Sequence, residues 1–366
     1  MMLGLRGFPG VQGGVETHAE HLCPRLVELG CEVHVIVRSP YQPREIGPTW
    51  RGVRFHPLWA PRSKGLEAIL HSILGVLYAG VWLRPDVLHI QAIGPAIVAP
   101  LARLLGLTVV VTHHGPDYDR QKWGGLARTV LRLGERFGMR YANARIVISN
   151  VIRQLVLEKH DVESRLVPNG VVLPVMPESV DCLAPFGLIP GRYVLIVSRL
   201  VPEKRHMDLI PAFADAKLEG WKLAIVGSSD HPDAYTQSVL EAAAVCQDVV
   251  CTGFQSGEVL AQLYAHAGMF VLPSSHEGLP IAMLEALSYG LPVVASDIPA
   301  NLEVGLPAAH YFPLGQVDVL SSTLRRFAAQ LVTLADRAER RQWVSTRYDW
   351  ETIARLTLDV YLSMRS

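Results

Sequence analysis

Two glutamates, Glu277 and Glu285, flank a segment whose composition suits anion binding. Pro280 lies between them and suits the first position of a helix, because its missing N–H is no loss there. Gly278 lets the backbone approach a ligand, and the N–H groups just after it would face that ligand from the helix start. Two carboxylates beside an anion require hydrogen-bond donors between them, and sugar hydroxyls meet that requirement. The alternative is an ordinary strand-loop-helix corner with a solvated glutamate.

Two cations, Arg199 and Lys204, follow another predicted strand, Tyr193–Val197. A guanidinium and an ammonium five residues apart in a strand-to-helix loop can hold a diphosphate between them. A surface salt bridge between one of these cations and Glu203 is the alternative interpretation.

Two histidines, His113 and His114, directly follow the predicted strand at residues 107–112. Ligands of open α/β sheets bind at the carboxyl ends of strands, so these histidines are better candidates than histidines on helices. The alternative is that one of the two only packs in the interior.

The first predicted turn, Arg6 to Gly14, is rich in glycine. Gly13 and Gly14 would allow the backbone to approach a phosphate or a sugar closely. The turn lacks the Gly-x-Gly-x-x-Gly pattern, and Arg38 rather than an acidic residue ends the second predicted strand. Both features argue against a nicotinamide dehydrogenase.

Two groups of residues look like metal ligands, but we expect no metal at either. The first group has a His-x-x-His spacing that differs from the His-Glu-x-x-His of zinc proteases. The second is an Asp-x-Asp loop with no third ligand evident. The groups are His18 and His21 with Glu16 and Glu20, and Asp117 with Asp119.

A basic amphipathic helix is predicted at residues 126–141. One face carries arginines at every fourth position, and another carries apolar residues; the arginines are Arg128, Arg132, Arg136 and Arg140, and the apolar residues are Leu126, Val130, Leu133 and Phe137. Residues 1–170 contain 20 lysines and arginines against 13 acidic residues. Such a helix can bind an anionic membrane surface or an anionic acceptor, with a solvated face as the alternative.

Strand and helix patterns alternate along all 366 residues, which predicts two α/β domains with doubly wound parallel sheets. We place the domains at residues 1–172 and 173–345, with a closing helix at 346–366. No apolar run is clean enough to predict a membrane span. Five scattered cysteines indicate a reduced, cytoplasmic protein.

Four elements together resemble the retaining glycosyltransferases of family 4, which have the GT-B fold of two Rossmann-like domains facing across a cleft. They are the Gly-Gly-Val-Glu-Thr-His turn from Gly13, the Thr-His-His-Gly strand end, the Ser-Arg-Leu-x-Pro-Glu-Lys loop, and the Glu-x7-Glu motif. The resemblance covers essentially the whole chain. Arg6-Gly-Phe-Pro9 and Lys122-Trp-Gly124 are similar to a subgroup of bacterial enzymes of surface-polysaccharide assembly.

The resemblance implies a role for each matching position in the donor half of the reaction. Arg199 and Lys204 would hold the diphosphate of a nucleoside-diphosphate sugar, and Glu285 would bind the ribose. Glu277 would contact the donor sugar, with backbone N–H groups from the following loop. The remaining donor-side positions are Gly278, Leu279 and Pro280 in that loop, and Gly227, Gly253 and Phe254 near the base.

The resemblance also implies roles in the N-terminal half. Gly13 and Gly14 would approach the diphosphate, and His114 would face the sugar, with His113 as the fallback. The closing helix would cross back to the N-terminal domain. The implied reaction retains anomeric configuration, needs no metal or other cofactor, and uses a glycan or lipid-linked acceptor, with peripheral attachment to the inner face of the membrane as a further hypothesis. A nucleotide-sugar epimerase and a non-catalytic nucleotide-sugar-binding protein are the alternatives, and the sequence leaves the base, the sugar and the acceptor open.

Overall fold

The computed structural model describes residues 1–61, 66–119, 124–229 and 233–364. Contacts divide the chain into two units. Unit 1 is Met1–Gly170 with Tyr348–Ser366, and unit 2 is Val171–Arg347. Lys122 and Trp123 of the Lys-Trp-Gly motif lie outside the described residues.

The strands of unit 1 form an eight-stranded sheet, as far as the structure describes it, in the order β3-β4-β2-β1-β5-β6-β7-β8. Only the β3–β4 pair is antiparallel. The strands are β1 (Met2–Leu3), β2 (His34–Arg38), β3 (Thr49–Trp50), β4 (Val53–Leu58), β5 (Leu88–Gln91), β6 (Val109–His113), β7 (Ala144–Val147) and β8 (Arg165–Leu166). β5 and β6 are buried along their whole length, as expected for parallel strands covered on both faces.

The strands of unit 2 form a parallel sheet in the order β11-β10-β9-β12-β13-β14 within the described residues. The strands are β9 (Tyr193–Val197), β10 (Lys222–Val226), β11 (Val249–Gly253), β12 (Met269–Leu272), β13 (Val293–Ser296) and β14 (Tyr311–Phe312). β9 therefore lies beside β12 although two strands separate them in the sequence. This neighbour relation brings the loops that follow β9 and β12 side by side.

The α-helices alternate with these strands. In unit 1 they are α1 (Gly14–Glu28), α2 (Leu66–Tyr78), α3 (Ala99–Leu104), α4 (Gly125–Tyr141) and α5 (Asn150–His160). In unit 2 they are α6 (His206–Ala216), α7 (Ala234–Val245), α8 (Gly257–Ala265), α9 (Ile281–Ser288), α10 (Pro299–Leu302), α11 (Val317–Ala328) and α12 (Leu334–Arg347). The closing helix α13 (Trp350–Leu362) packs against α1, so it belongs to unit 1.

Two helix boundaries differ from the sequence-based expectation. The sequence from Ala92 to Leu105 predicts a single helix, but a 3-10 turn at Pro95–Val98 precedes the short α3. Pro95 and Pro100 each lack the backbone N–H that a continuous α-helix would use at that position. Pro280 is the residue before α9 rather than its first residue, with an extended ψ of 94°.

The buried face of α4 combines two glycines and a glutamate with two apolar residues. The helix packs through Leu131, Gly134, Glu135, Gly138 and Met139. A Cβ on Gly134 would lie 2.2 Å from the backbone oxygen of Ile93, so only glycine permits this close approach. Of the apolar residues noted in the sequence of this helix, Leu126 is 82% exposed and Leu133 is 40% exposed.

Candidate active site

A cluster of charged side chains in unit 2 lies at the carboxyl ends of β9 and β12. Lys204 ends a 3-10 turn after β9, and its Nζ lies 2.5 Å from Oε1 of Glu277 in the loop after β12. The side chains of Lys204 and Glu277 are 19% and 11% exposed. Ser275 N–H donates to the Glu203 carbonyl over 2.8 Å, which ties the two loops together. The half-buried Arg199 follows β9 by two residues.

The alternative salt bridge to Glu203 does not form. The Glu203 side chain is buried, and its carboxylate oxygens have no hydrogen-bond partner among the described residues. The Lys204 ammonium is held by Glu277 instead. Lys204 and Glu277 therefore form one partly buried ion pair. A bound phosphate could attract the ammonium and a bound hydroxyl could donate to the carboxylate, which would separate the two side chains.

Glu285 lies in the second turn of α9, and its Oε2 accepts a hydrogen bond of 2.9 Å from the Tyr264 hydroxyl. The Tyr264 ring stacks on that of Tyr289 at 5.2 Å. Burial raises the pKa of Glu285 to about 7, and the hydrogen bond from Tyr264 partly opposes this rise. The carboxyl group therefore changes charge near neutral pH, and its ionised form needs hydrogen-bond donors.

The loop between the two glutamates brings its backbone to the same edge of the sheet. Gly278 and Leu279 precede Pro280, and Leu279 is buried. The Pro280 carbonyl accepts the N–H groups of Met283 and Leu284 at the start of α9. The loop and the helix start are thus connected by backbone hydrogen bonds.

The residues predicted to lie near a nucleotide base follow β10 and β11. Gly227 N–H donates to the Gly253 carbonyl over 2.8 Å, and both glycines have positive φ, 137° and 72°. Phe254 comes next and is 44% exposed. Since β10 lies between β11 and β9, these residues and Lys204 occupy successive positions along one edge of the sheet.

The glycine-rich turn of unit 1 is shaped by a buried ion pair. Arg6 Nε lies 3.2 Å from Oε1 of Glu16, and the Arg6 guanidinium also donates to the Gln12 carbonyl. Gly13 precedes α1 with φ 151°, and a Cβ there would lie 2.1 Å from Oε2 of Glu16. Gly14 is the first residue of α1. The turn therefore requires glycine at position 13, whatever it binds.

His114 follows β6, and its Nε2 lies 2.7 Å from Oε1 of Gln91 at the end of β5. The Gln91 amide nitrogen lies 3.3 Å from Met2 Sδ and 3.3 Å from His89 Nε2, which assigns its oxygen to His114. His114 Nε2 therefore donates, and its Nδ1 is left as an acceptor. Burial lowers the pKa of His114 well below its usual value, and nearby His18 lowers it further, so the ring is neutral.

His113 is directed to the opposite side and does not present a nitrogen to a ligand. Its side chain is fully buried, with Nε2 3.0 Å from Oε1 of Glu135 and Nδ1 accepting the Gly115 N–H over 3.1 Å. This corrects the expectation that His113 could replace His114 as a substrate contact. Successive residues of a strand point to opposite faces, so the two histidines cannot share one role.

Glu135 of α4 is the centre of a buried polar cluster that the sequence patterns did not indicate. It accepts hydrogen bonds from His113, Tyr118 and Lys159. Burial opposes its ionisation, but the hydrogen bonds from His113 and Lys159 outweigh burial and lower the pKa of Glu135 to about 2. The one available signal in the sequence was that Glu135 is the single acidic residue of α4, which carries four arginines. Gln91, also missed, could have been noticed as a polar residue at a strand's carboxyl end.

Among the residues considered as metal ligands, three side chains are held by other partners. His18 Nδ1 pairs with Asn169 Oδ1 at 3.0 Å, Glu16 pairs with Arg6, and Glu20 accepts the Gly10 N–H. Across the described residues, no group of three histidine, cysteine, aspartate or glutamate side chains is placed to hold a metal ion.

The four arginines of α4, Arg128, Arg132, Arg136 and Arg140, are all exposed. Arg132 lies over the Tyr118 ring, with 5.5 Å between its Cζ and the ring centroid. Within the described part of the chain, no helix combines the length and apolar character needed to cross a membrane.

Family models match both units. The model described as "Glycosyl transferase 4-like domain" matches residues 13–170, and that described as "Glycosyl transferases group 1" matches residues 190–315. The chain is 26% identical to the MMP alpha-(1->4)-mannosyltransferase of Mycolicibacterium hassiacum, covering 95% of this chain and 94% of that protein. It is 27% identical to the 2-deoxystreptamine N-acetyl-D-glucosaminyltransferase of Streptomyces fradiae, covering 89% and 84%.

Solved structures share the fold over the whole chain. Sucrose-phosphate synthase from Thermosynechococcus elongatus superposes with a TM-score of 0.81 at 21% identity, covering 99% of this chain and 98% of that one. Anabaena Alr3699/HepE in complex with UDP and glucose superposes with a TM-score of 0.80 at 16% identity, covering 99% and 100%. At these identities the likeness shows the fold.

Proposed function

The chain is a family 4-type glycosyltransferase of the GT-B fold, and from that premise we propose that it moves a sugar from a nucleoside-diphosphate sugar to a hydroxyl acceptor. The observation that carries the proposal is the cluster at adjacent strand ends in unit 2. There the Lys204–Glu277 pair, with Arg199 on the same loop as Lys204, offers cations for a diphosphate beside a carboxylate for hydroxyls.

The donor is a nucleoside-diphosphate sugar. The UDP and UDP-glucose complexes of HepE support this choice. In our assignment Arg199 and Lys204 bind the diphosphate, Glu277 accepts hydroxyls of the transferred sugar, and Glu285 accepts those of the ribose. The backbone of the Gly278–Pro280 loop adds contacts to the sugar and the phosphate, and Gly227, Gly253 and Phe254 lie near the base.

In unit 1, Gly13 and Gly14 would bring the backbone to the diphosphate. His114 would contact the transferred sugar through Nδ1, which accepts a hydrogen bond from a sugar hydroxyl, because Gln91 occupies its Nε2. His113 acts only as a positioning residue, since its hydrogen bond to Glu135 fixes the end of β6 just before His114. A neutral His114 suits this role, because an imidazolium could not accept a hydrogen bond.

The reaction breaks the bond between the anomeric carbon and a phosphate oxygen. Arg199 and Lys204 stabilise the negative charge that develops on the departing diphosphate, so the reaction needs no strong acid. The acceptor oxygen bonds to the anomeric carbon on the same face, and its proton passes to the leaving phosphate oxygen. The anomeric configuration is retained, and no metal ion is required.

The acceptor is a glycan or lipid-linked glycan of surface-polysaccharide assembly. Two relatives carry the names MMP alpha-(1->4)-mannosyltransferase and glycogen synthase, and these names support the glycan class. The exposed arginines of α4 would attach the enzyme to an anionic membrane surface. Co-sedimentation with anionic and neutral vesicles tests the attachment, and equal pelleting with both would contradict it.

The activity is tested with purified protein and a panel of UDP-, GDP- and dTDP-sugars, with and without glycan and lipid-linked acceptors. We expect nucleoside diphosphate release that depends on acceptor and is lost in Glu277→Ala, with retained configuration in the product by NMR. Isomerised donor without acceptor would indicate an epimerase. Donor binding without turnover on any acceptor would indicate a binding protein.

A further inference from the structure

The exposed side of α2 and of the π-helical turn that continues it, Ala79–Leu83, is entirely apolar. Four side chains recur there at intervals of three or four residues, and a tryptophan ends the row. We call this row the α2 stripe: Leu70 (38% exposed), Leu74 (40%), Leu77 (38%), Val81 (56%) and Trp82 (70%). A contiguous row of exposed apolar side chains offers a surface on which other apolar groups can pack.

The acidic residue of α2 does not interrupt the stripe. Glu67 is buried, where it pairs with Arg38 and accepts a hydrogen bond of 2.9 Å from the Tyr41 hydroxyl. His71 and Ser72 are also buried. Core packing therefore accounts for every polar side chain described in the helix and leaves the outer row apolar.

The exposed charges on the helices of this layer have one sign, although the exposed Arg84 and Asp86 follow the stripe directly. The segment Pro95–Leu104, which includes α3, contacts both α2 and α4, so the three helices form one layer of unit 1. The ionisable side chains exposed on these helices, in the part that the structure describes, are arginines: Arg103, Arg128, Arg132, Arg136 and Arg140. The one acidic residue of α4, Glu135, is buried.

We propose that the α2 stripe inserts into the interface of an anionic lipid bilayer, with the arginines of α4 supplying the attraction. An apolar helix face with a tryptophan at its end, next to a surface of exposed arginines, has the composition of an interfacial membrane helix. This proposal rests on the proposed function, because insertion would bring the enzyme to a lipid-linked acceptor. It names the element that enters the lipid, whereas the basic face alone gives only attraction.

A second copy of the chain fits this surface less well. From Leu70 to Trp82 the stripe is about 20 Å long and about 10 Å wide, roughly 200 Å², whereas a stable dimer buries about 800 Å² per partner. A symmetric dimer through this layer would also bring the arginines of the two copies together. A bilayer with anionic headgroups avoids both difficulties.

The experiment measures binding of the full chain to vesicles of phosphatidylcholine alone and of phosphatidylcholine with phosphatidylglycerol, without any donor. We expect the double variant Leu74→Ser, Leu77→Ser to bind both kinds of vesicle about tenfold more weakly. Val245→Ser, at an 88% exposed apolar residue of α7, is the matched control and should bind like wild type. Arg132→Gln with Arg136→Gln should lose only the additional binding to the anionic vesicles.

A second measurement follows the emission of Trp82 in the chain without the leucine substitutions. Trp82 emission, obtained as the difference between wild type and Trp82→Phe, should be quenched by brominated phosphatidylcholine in mixed vesicles. Unchanged binding of the double leucine variant, or unquenched Trp82, would overturn the proposal. So would a wild-type dimer that the leucine substitutions dissociate in sedimentation. UDP affinity should be unchanged in the leucine variant, so a failure here is distinguishable from a failure of the transferase proposal.

Discussion

Replacing Glu277 with glutamine should strengthen nucleotide binding while it slows catalysis. In the structure the Glu277 carboxylate holds the Lys204 ammonium at 2.5 Å, so an incoming diphosphate must take this cation from an internal partner. Glutamine keeps the shape of the side chain and removes its charge. Lys204 then becomes fully available to phosphate, but the sugar loses an ionised acceptor.

The magnitude follows from the burial of the pair. Unit charges 4 Å apart attract by about 4 kcal/mol at an effective dielectric constant of about 20, which suits side chains only 19% and 11% exposed. Desolvation offsets much of this attraction, leaving about 1–2 kcal/mol for the diphosphate to replace. Glu277→Gln should therefore bind UDP about 5- to 30-fold more tightly. Loss of a charged hydrogen bond to the sugar should lower kcat by about 10- to 100-fold.

Calorimetric titration with UDP and initial-rate kinetics measure the two effects separately. Asp208→Asn is the matched control, because it removes one negative charge from the Arg205–Asp208 pair near the same loop without touching Lys204. The control should change UDP affinity less than twofold. The reasoning is refuted if Glu277→Gln binds UDP no more tightly than wild type, or if Asp208→Asn tightens binding equally.

Three further substitutions test individual hydrogen bonds and one backbone conformation. Gln91→Glu places a carboxylate at Nε2 of His114 and should raise the pKa of that histidine, so activity should fall as pH drops through the raised pKa; a pH profile identical to wild type would exclude this role. Tyr264→Phe removes the donor to Glu285, whose pKa should rise above its present value of about 7, and the increase of UDP affinity with rising pH should move to higher pH. An unchanged midpoint in titrations at several pH values would argue against Glu285 as the ribose acceptor. Gly13→Ala forces a Cβ to 2.1 Å from a carboxylate oxygen and should cost about 1–3 kcal/mol in thermal unfolding, whereas an unchanged Tm would show that the turn can relax.

The sequence predicted which residues lie at the strand ends, but it did not predict which side chains pair there. Apolar runs predicted β9 at residues 193–197, as observed, and the strand that precedes Glu277. Parallel sheets gather the carboxyl ends of their strands at one edge, so Lys204 and Glu277 were expected on the same edge. Their contact depends on β9 lying beside β12, which local patterns do not contain.

Packing decided two features that the local pattern left open. The apolar residues of α4 do not indicate its buried face, because Gly134 and Gly138 carry no hydrophobic signal yet permit the closest approach. The choice between His113 and His114 was open, because strand alternation shows only that they face opposite ways. The buried Glu135 decides which of them faces the interior.

The sequence by itself determined the α/β alternation, the family and the residues able to bind a sugar diphosphate, because these depend on local periodicity and on side-chain chemistry at strand ends. Tertiary structure alone decided which groups hold each other: Lys204 with Glu277, His114 with Gln91, and His113 with Glu135. It also decided which apolar residues stay outside, as the α2 stripe does. Partners and exposure depend on strand order and helix packing, which join residues far apart in the chain and leave no periodic trace in the sequence.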